Sequence, residues 1–274
     1  MPVMAHSPWR TIGASVTGSR HLRAGQPNQD ALCHGELPAG AGAFAALSDG
    51  HGSKTCFRSD YGAQRAVQLV REALQSQEAV KDLQRPQGPE ALAERLVARW
   101  RQEMLRHLKQ HPFQPEETDG LEKPQRAVLG RNALVAYGAT LLAAVALAQE
   151  VILLQLGDGD FLYLEEDGAV KAALEPDQRH LGNATTSLCL PDALEAFRYR
   201  RWQGSVPRMV LGSTDGYGNS FRSETGFMKA LQDYALLMEA HGWQSVSDRL
   251  PQWLSETSHQ GSGDDISLAL LFRR

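Results

Sequence analysis

Four short acidic steps carry the chemistry that this chain can do: Asp49-Gly50, Asp158-Gly159, Asp215-Gly216 and Asp264-Asp265. Each stands where an apolar run ends or begins. The runs at 44–47, 151–156, 209–211 and 266–272 read as buried strands by length, hydrophobicity and glycine punctuation. Antiparallel pairing sets the end of one strand beside the start of its neighbour, so these carboxylates can converge on one edge of a sheet. Converging carboxylates repel, and a fold that gathers them needs a divalent cation to neutralise them. Hard oxygen ligands point to magnesium or manganese.

The stretch at 42–53, Gly-Ala-Phe-Ala-Ala-Leu-Ser-Asp-Gly-His-Gly-Ser, is the most specific. Asp-Gly alone is commonly a turn after a buried strand. In the longer string Asp49 can bridge two cations with its two oxygens, and Gly50 can offer an unobstructed carbonyl. His51 can donate a proton close by. A phosphate-binding loop at 50–55 is excluded because Ser53, not Gly, precedes Lys54. No cysteine is followed by Arg six positions later, and 212–216 lacks a central serine, so cysteine- and serine-nucleophile chemistry is not indicated.

The elements that must position these groups are legible as two strand-rich blocks with helix pairs. Segments 11–16, 31–34 and 43–47 read as strands. Ala63, Ala66, Val67, Val70, Ala73 and Leu74 form a helical stripe within 60–77, and Leu92, Leu96, Val97, Trp100, Met104 and Leu108 another, from Pro89 to the stop at His111-Pro112. Residues 112–131 are polar and without period, and read as a surface connection. A hairpin is expected from 139–148 and 151–156, continued as a meander by 161–164 and 169–173 across Asp167-Gly168. Helices at 224–240 and 245–257, separated by Gly242, precede the last strand. Nearly continuous apolar runs at 151–156 and 267–271 imply strands covered on both faces. The fold class is therefore α+β: two packed, mainly antiparallel sheets flanked by helices, a four-layer α-β-β-α sandwich in one domain over 1–274.

Bulk properties exclude other classes. At 274 residues and 42% hydrophobic content, with net charge -4, the chain has no basic footprint for nucleic acid or an anionic membrane. The uncharged stretch that opens at 132 is broken by Tyr137, Gly138 and Thr140, and reads as sheet core rather than a membrane span. Cys33, Cys56 and Cys189 are odd in number and widely spaced, which fits a reducing compartment. The first residues lack the apolar stretch of a secretory signal, so a cytoplasmic location is expected.

The order of the motifs adds a family resemblance. Arg20-His21-Leu22-Arg23-Ala24-Gly25-Gln26-Pro27-Asn28-Gln29-Asp30 opens a series followed by Asp49-Gly50-His51-Gly52 and Tyr137-Gly138-Ala139-Thr140. Leu156-Gly157-Asp158-Gly159-Asp160, Ser213-Thr214-Asp215-Gly216 and Asp264-Asp265-Ile266-Ser267 complete it. In this series the chain resembles the metal-dependent type 2C serine/threonine protein phosphatases (the PPM family), as a bacterial-type single-domain member. The resemblance implies a two-sheet sandwich with a binuclear magnesium or manganese site. Asp49 would bridge both ions, Gly50 would give a carbonyl, and Asp215 and Asp264 would complete the second ion. Asp30 would act through waters, Asp158 would hold a water network or a third, weaker ion, and His51 would be the proton donor. Arg23 is expected to bind the substrate phosphate, with Arg20 and His21 as competitors. The implied substrates are proteins phosphorylated on serine or threonine by a kinase. Two alternatives are a catalytically weak phosphoprotein-binding or sensor domain and a small phosphate-ester hydrolase. Gln29 departs from the family by replacing an acidic residue, Gly159 by replacing a serine, and Asp265 by replacing an asparagine.

Overall fold

The apolar runs that meet the acidic steps fold as strands, and the amphipathic stripes between them as helices. The structure is a computed structural model describing residues 7–175, 177, 179 and 185–274. In chain order the elements are β1 (Trp9–Val16), α1 (Ser19–Ala24), β2 (Ala31–Glu36), β3 (Gly42–Ser48), α2 (Ser59–Ala73), α3 (Gln77–Leu83), α4 (Gly88–Gln110), α5 (Pro115–Thr118) and α6 (Lys123–Arg131). There follow β4 (Leu141–Leu147), β5 (Glu150–Leu156), β6 (Asp160–Leu164), β7 (Val170–Ala172), α7 (Ala193–Ala196), β8 (Arg198–Gln203), β9 (Met209–Ser213), α8 (Asp215–Gly218), α9 (Glu224–His241), α10 (Trp243–Gln260) and β10 (Ile266–Arg273). A short 3-10 turn, Ala133–Tyr137, leads into β4.

One sheet has the order β1-β10-β9-β6-β7 and the other β2-β3-β4-β5-β8, with antiparallel neighbours throughout. Three apolar clusters define the layers. Ala45, Leu47, Leu142 and Leu153 of one sheet pack with Phe161, Val210 and Leu271 of the other between the sheets. The outer face of the second sheet is covered by α2 and α4 through Val67, Val70, Leu96 and Trp100. The outer face of the first is covered by α9 and α10 through Leu231, Leu250 and Leu254. This is the expected α-β-β-α sandwich. Every residue of β4 and β5 is buried, as strands covered on both faces require. Among the described residues, no helix is long and apolar enough to cross a membrane.

Three local expectations are corrected. The meander is broken: β4 and β5 form a hairpin in one sheet, whereas β6 and β7 pair in the other. The crossing occurs at Gly157, whose φ of 112° turns the chain out of its first sheet. Within 112–131 lie two short helices, not an irregular connection. Each has Pro in its first turn and a capping box, at Gln114 and Glu122, and Leu121 and Leu129 are buried against the α2/α4 layer. Finally, residues 20–24 of the opening motif, to which the sequence reading assigns no element, lie in the helix α1.

Candidate active site

Asp49 follows the last residue of β3, and Thr140 holds its backbone on both sides. The Asp49 amide donates to Thr140 Oγ1 at 2.8 Å, and the Thr140 amide donates to the Asp49 carbonyl at 2.9 Å. One step on, Gly50 bridges Ala139, and the His51 amide donates to the Gly138 carbonyl at 3.0 Å. Residues 138–140 thus extend the β4 line and carry the chain leaving β3. Their other edge is also occupied, since the Leu188 amide donates to the Ala139 carbonyl at 3.0 Å. Gly50 is tightly enclosed: a Cβ there would lie 2.6 Å from the Gln29 carbonyl oxygen.

Asp158 sits in the loop between β5 and β6, where the Gln155 amide group donates to the carbonyls of Gly157 and Gly159. Asp215 opens α8 directly after β9. Asp264 lies in the turn from α10 into β10, its carbonyl accepting from Ser258 Oγ at 2.8 Å. Asp49, Asp158 and Asp215 each present a carboxylate oxygen within 4.8 Å of the other two. These three, with Gly50, His51 and Asp264, line one cavity of about 1240 Å³. Asp264 stands beside the triad, and its charge acts on Asp215.

The triad is electrostatically uncomfortable by itself. Burial holds the Asp49 carboxyl well above the usual carboxylate range, and repulsion from Asp30, Asp215 and Asp158 adds to it. Asp215 is pushed up to about 6, first by burial and then by Asp158. Buried oxygen donors crowded in this way, with no cation among the principal charges acting on them, fit a hard divalent ion such as magnesium or manganese.

Asp30 lies behind this wall, 7% exposed, with a carboxylate oxygen accepting from Thr214 Oγ1 at 2.7 Å. Burial raises it well above the ordinary range, the Thr214 bond opposes the shift, and Asp265 adds to it. Asp265 instead anchors the opening loop: its carboxylate accepts from the amides of Gly18 at 2.6 Å and Gln29 at 2.7 Å and pairs with His21 Nδ1 at 2.9 Å. That contact occupies one His21 ring nitrogen. Helix α1 turns Arg20, His21 and Ala24 toward the cavity, while Arg23 is exposed and does not line it. Arg20 reaches across Gly263, where a Cβ would come within 3.0 Å of its Nε. Burial pushes the His51 imidazole below its ordinary range, with Asp158 acting in the opposite direction.

Asp160, at the start of β6, is a further strained carboxyl that the sequence reading did not single out. Burial, then Asp215 and Asp158, push it up to about 7, against the pull of Arg198. A carboxyl whose folded value lies above its unfolded value holds an extra proton in the folded state. The metal-free protein therefore loses stability as pH rises from the unfolded value of 3.8 through about 7. Asp160→Asn is expected to raise the metal-free melting temperature by roughly 3–6 °C at about pH 8 and by little near pH 4. A melting curve at each pH checks this, and equal shifts at both would contradict it.

Other cavity residues were also missed. Val128, Val135, Cys189 and Leu190 also line it, on segments outside the acidic motifs. Their apolar neighbours in sequence read as core, so nothing marks them as lining a cavity.

The family model described as Protein phosphatase 2C matches residues 17–255. No curated protein sequence matches the chain. Among solved structures, the Mycobacterium tuberculosis serine/threonine phosphatase PstP/Ppp is similar at a TM-score of 0.62 and 15% identity, over 97% of this chain and 99% of that one. The catalytic domain of PstP in complex with 2 manganese ions is similar at 0.59 and 14%, over 96% and 97%. Stp1 from Staphylococcus aureus is similar at 0.60 and 12%, over 97% and 95%. At such identities these likenesses speak to the fold.

Proposed function

The chain belongs to the protein phosphatase 2C family, and on that premise we propose that it hydrolyses phosphoserine and phosphothreonine in proteins, using two magnesium or manganese ions. The observation that carries this reading is the convergence of Asp49, Asp158 and Asp215 within 4.8 Å in a cavity of about 1240 Å³. A pocket for a small ester is commonly about 300–1,000 Å³. The larger volume favours a peptide-borne phosphate over a free small ester.

In this reading Asp49, the Gly50 carbonyl, Asp215 and Asp264 would hold the ions. Asp158 joins them as a direct ligand candidate, and Asp30 acts from behind through water. When bound, the cations supply Lewis-acid stabilisation of the phosphoryl oxygens and acidify a water for in-line attack. The residues do the rest. Thr140 fixes the backbone of Asp49 so that its carboxylate does not swing. His51 is held neutral by burial, and an entering phosphate dianion favours its protonated form, from which the leaving alkoxide takes a proton. Gln29 lines the cavity without adding charge. Buried, unpaired Cys33, Cys56 and Cys189 suit a reducing cytoplasm. The partners are phosphorylated proteins, products of a serine/threonine kinase.

Arg20 takes the phosphate-binding role in preference to Arg23, because it lines the cavity and Arg23 does not. A hydrogen bond to a charged group is worth about 1.5–3 kcal/mol. Arg20→Ala is thus expected to lower kcat/KM for a phosphopeptide by roughly 10- to 100-fold, with Arg23→Ala within about twofold of wild type. The reverse order, read from steady-state kinetics of both variants, would reinstate Arg23.

The substrate class is tested by comparing phosphothreonine and phosphoserine peptides with a phosphotyrosine peptide and a small alkyl phosphate under manganese. Preference for the first two supports the proposal. Faster turnover of the small ester favours the ester-hydrolase reading, and peptide binding without turnover favours a phosphoprotein-binding domain.

A further inference from the structure

The cavity is lined by aliphatic as well as acidic residues, and the aliphatic ones are not used by the reading above. They are Val128 from α6, Val135 from the 3-10 turn before β4, and Leu190 from the segment before α7. All three are half-buried aliphatic side chains. Single exposed apolar residues are ordinary, but three from separate elements on one wall of one cavity form a surface.

That surface is pre-formed. Asn132 ties its three parts together. Its amide donates to the Val128 carbonyl at 2.9 Å, its Oδ1 accepts from the Leu134 amide at 3.1 Å, and its Nδ2 donates to the Cys189 carbonyl at 2.8 Å. From behind, the Arg101 guanidinium of α4 donates to the carbonyls of Leu188, Leu190 and Pro191. A wall braced in this way keeps its shape before a ligand arrives, which lowers the cost of binding one.

Its location relative to the chemistry says what it would meet. A Cβ built on Gly138 would lie 2.7 Å from His51 Cδ2, 3.3 Å from Cys189 Sγ and 3.2 Å from the Val135 carbonyl oxygen. His51 and the start of the apolar wall therefore flank the same carbon. Triad, His51 and wall line the same cavity, so a peptide whose phosphate lies at the triad can run past His51 and along this wall.

We propose that Val128, Val135 and Leu190 form an apolar subsite for the residue next to the phosphorylated one, so that the favoured substrates are phosphoserine or phosphothreonine peptides with an adjoining aliphatic side chain. The inference rests on the phosphatase reading and narrows its substrate class.

The test uses four phosphothreonine peptides differing only in Leu or Ser immediately before or immediately after the phosphothreonine, with manganese and the full chain. At least one Leu peptide is expected to exceed its Ser counterpart by about tenfold or more in kcat/KM, the scale on which a hydrophobic pocket discriminates. The double variant Val128→Thr, Val135→Thr keeps side-chain shape but adds hydroxyls, and is expected to cut that ratio to below about threefold. A non-hydrolysable phosphonate form of each peptide gives a second readout, in which dissociation constants should show the same preference. Leu and Ser peptides turned over equally, within about twofold on both sides, would overturn the subsite while leaving the phosphatase reading intact. Absence of turnover on every peptide, with p-nitrophenyl phosphate also untouched, would overturn both.

Discussion

Asp49→Asn is expected to lower phosphopeptide turnover by about a thousandfold or more, while the protein stays folded. The carboxylate feels Asp30, Asp215 and Asp158 at once. Asparagine keeps its size and the backbone clasp by Thr140, so the loop geometry survives. It loses a charge that would help to hold a cation. The same change relieves repulsion and burial of charge, so the metal-free variant should melt at least as high as wild type near neutral pH. Phosphate release and melting temperature measured on one preparation separate the two effects. Loss of activity together with collapse of the fold would show that Asp49 is structural instead.

Gly138→Ala is expected to cost about a hundredfold or more in kcat on a phosphothreonine peptide, at the low end of what a positioned proton donor contributes. The backbone there, φ −50° and ψ 127°, suits alanine, so the damage is lateral. The new methyl carbon would lie 2.7 Å from His51 Cδ2, and the imidazole must rotate away. Asp49, Asp158 and Asp215 are not among the nearest atoms, so metal affinity by calorimetry should be unchanged. An aryl phosphate, whose leaving group needs little protonation, should lose far less than the peptide. Equal losses on both substrates would mean that the change disturbs more than the proton donor.

The acidic centre was legible because each of its carboxylates ends or begins a strand whose burial on both faces leaves an uninterrupted apolar run. Strands β4 and β5, buried throughout, are the extreme case. What escaped the sequence lacks that signature. Strand β8, Arg-Tyr-Arg-Arg-Trp-Gln, is an edge strand with no buried residue, held against β5 by its backbone pairing and by Arg201 pairing with Glu150. Helix α1 also has no buried residue, so no apolar period marks it, and its position depends on distant partners: the Arg20 amide donates to the Gly263 carbonyl, and Asp265 holds Gly18 and Gln29. The relation of Arg20 to Arg23 could not be read from linear distance to Asp30, because the intervening turn of helix rotates Arg23 off the cavity face. The helices within 112–131 are stabilised by capping side chains more than by an apolar face, and pattern reading sees them as polar connection.

Hydrolysis is expected to depend on cations held by the gathered carboxylates. The most direct measurement is the initial rate of phosphate release from a phosphothreonine peptide, with metal-free protein titrated with manganese. The rate should rise from essentially zero, saturate with metal, and return to zero when a chelator is added. A rate that is the same before metal and after chelator would contradict it, as would metal binding at the triad with no release of phosphate.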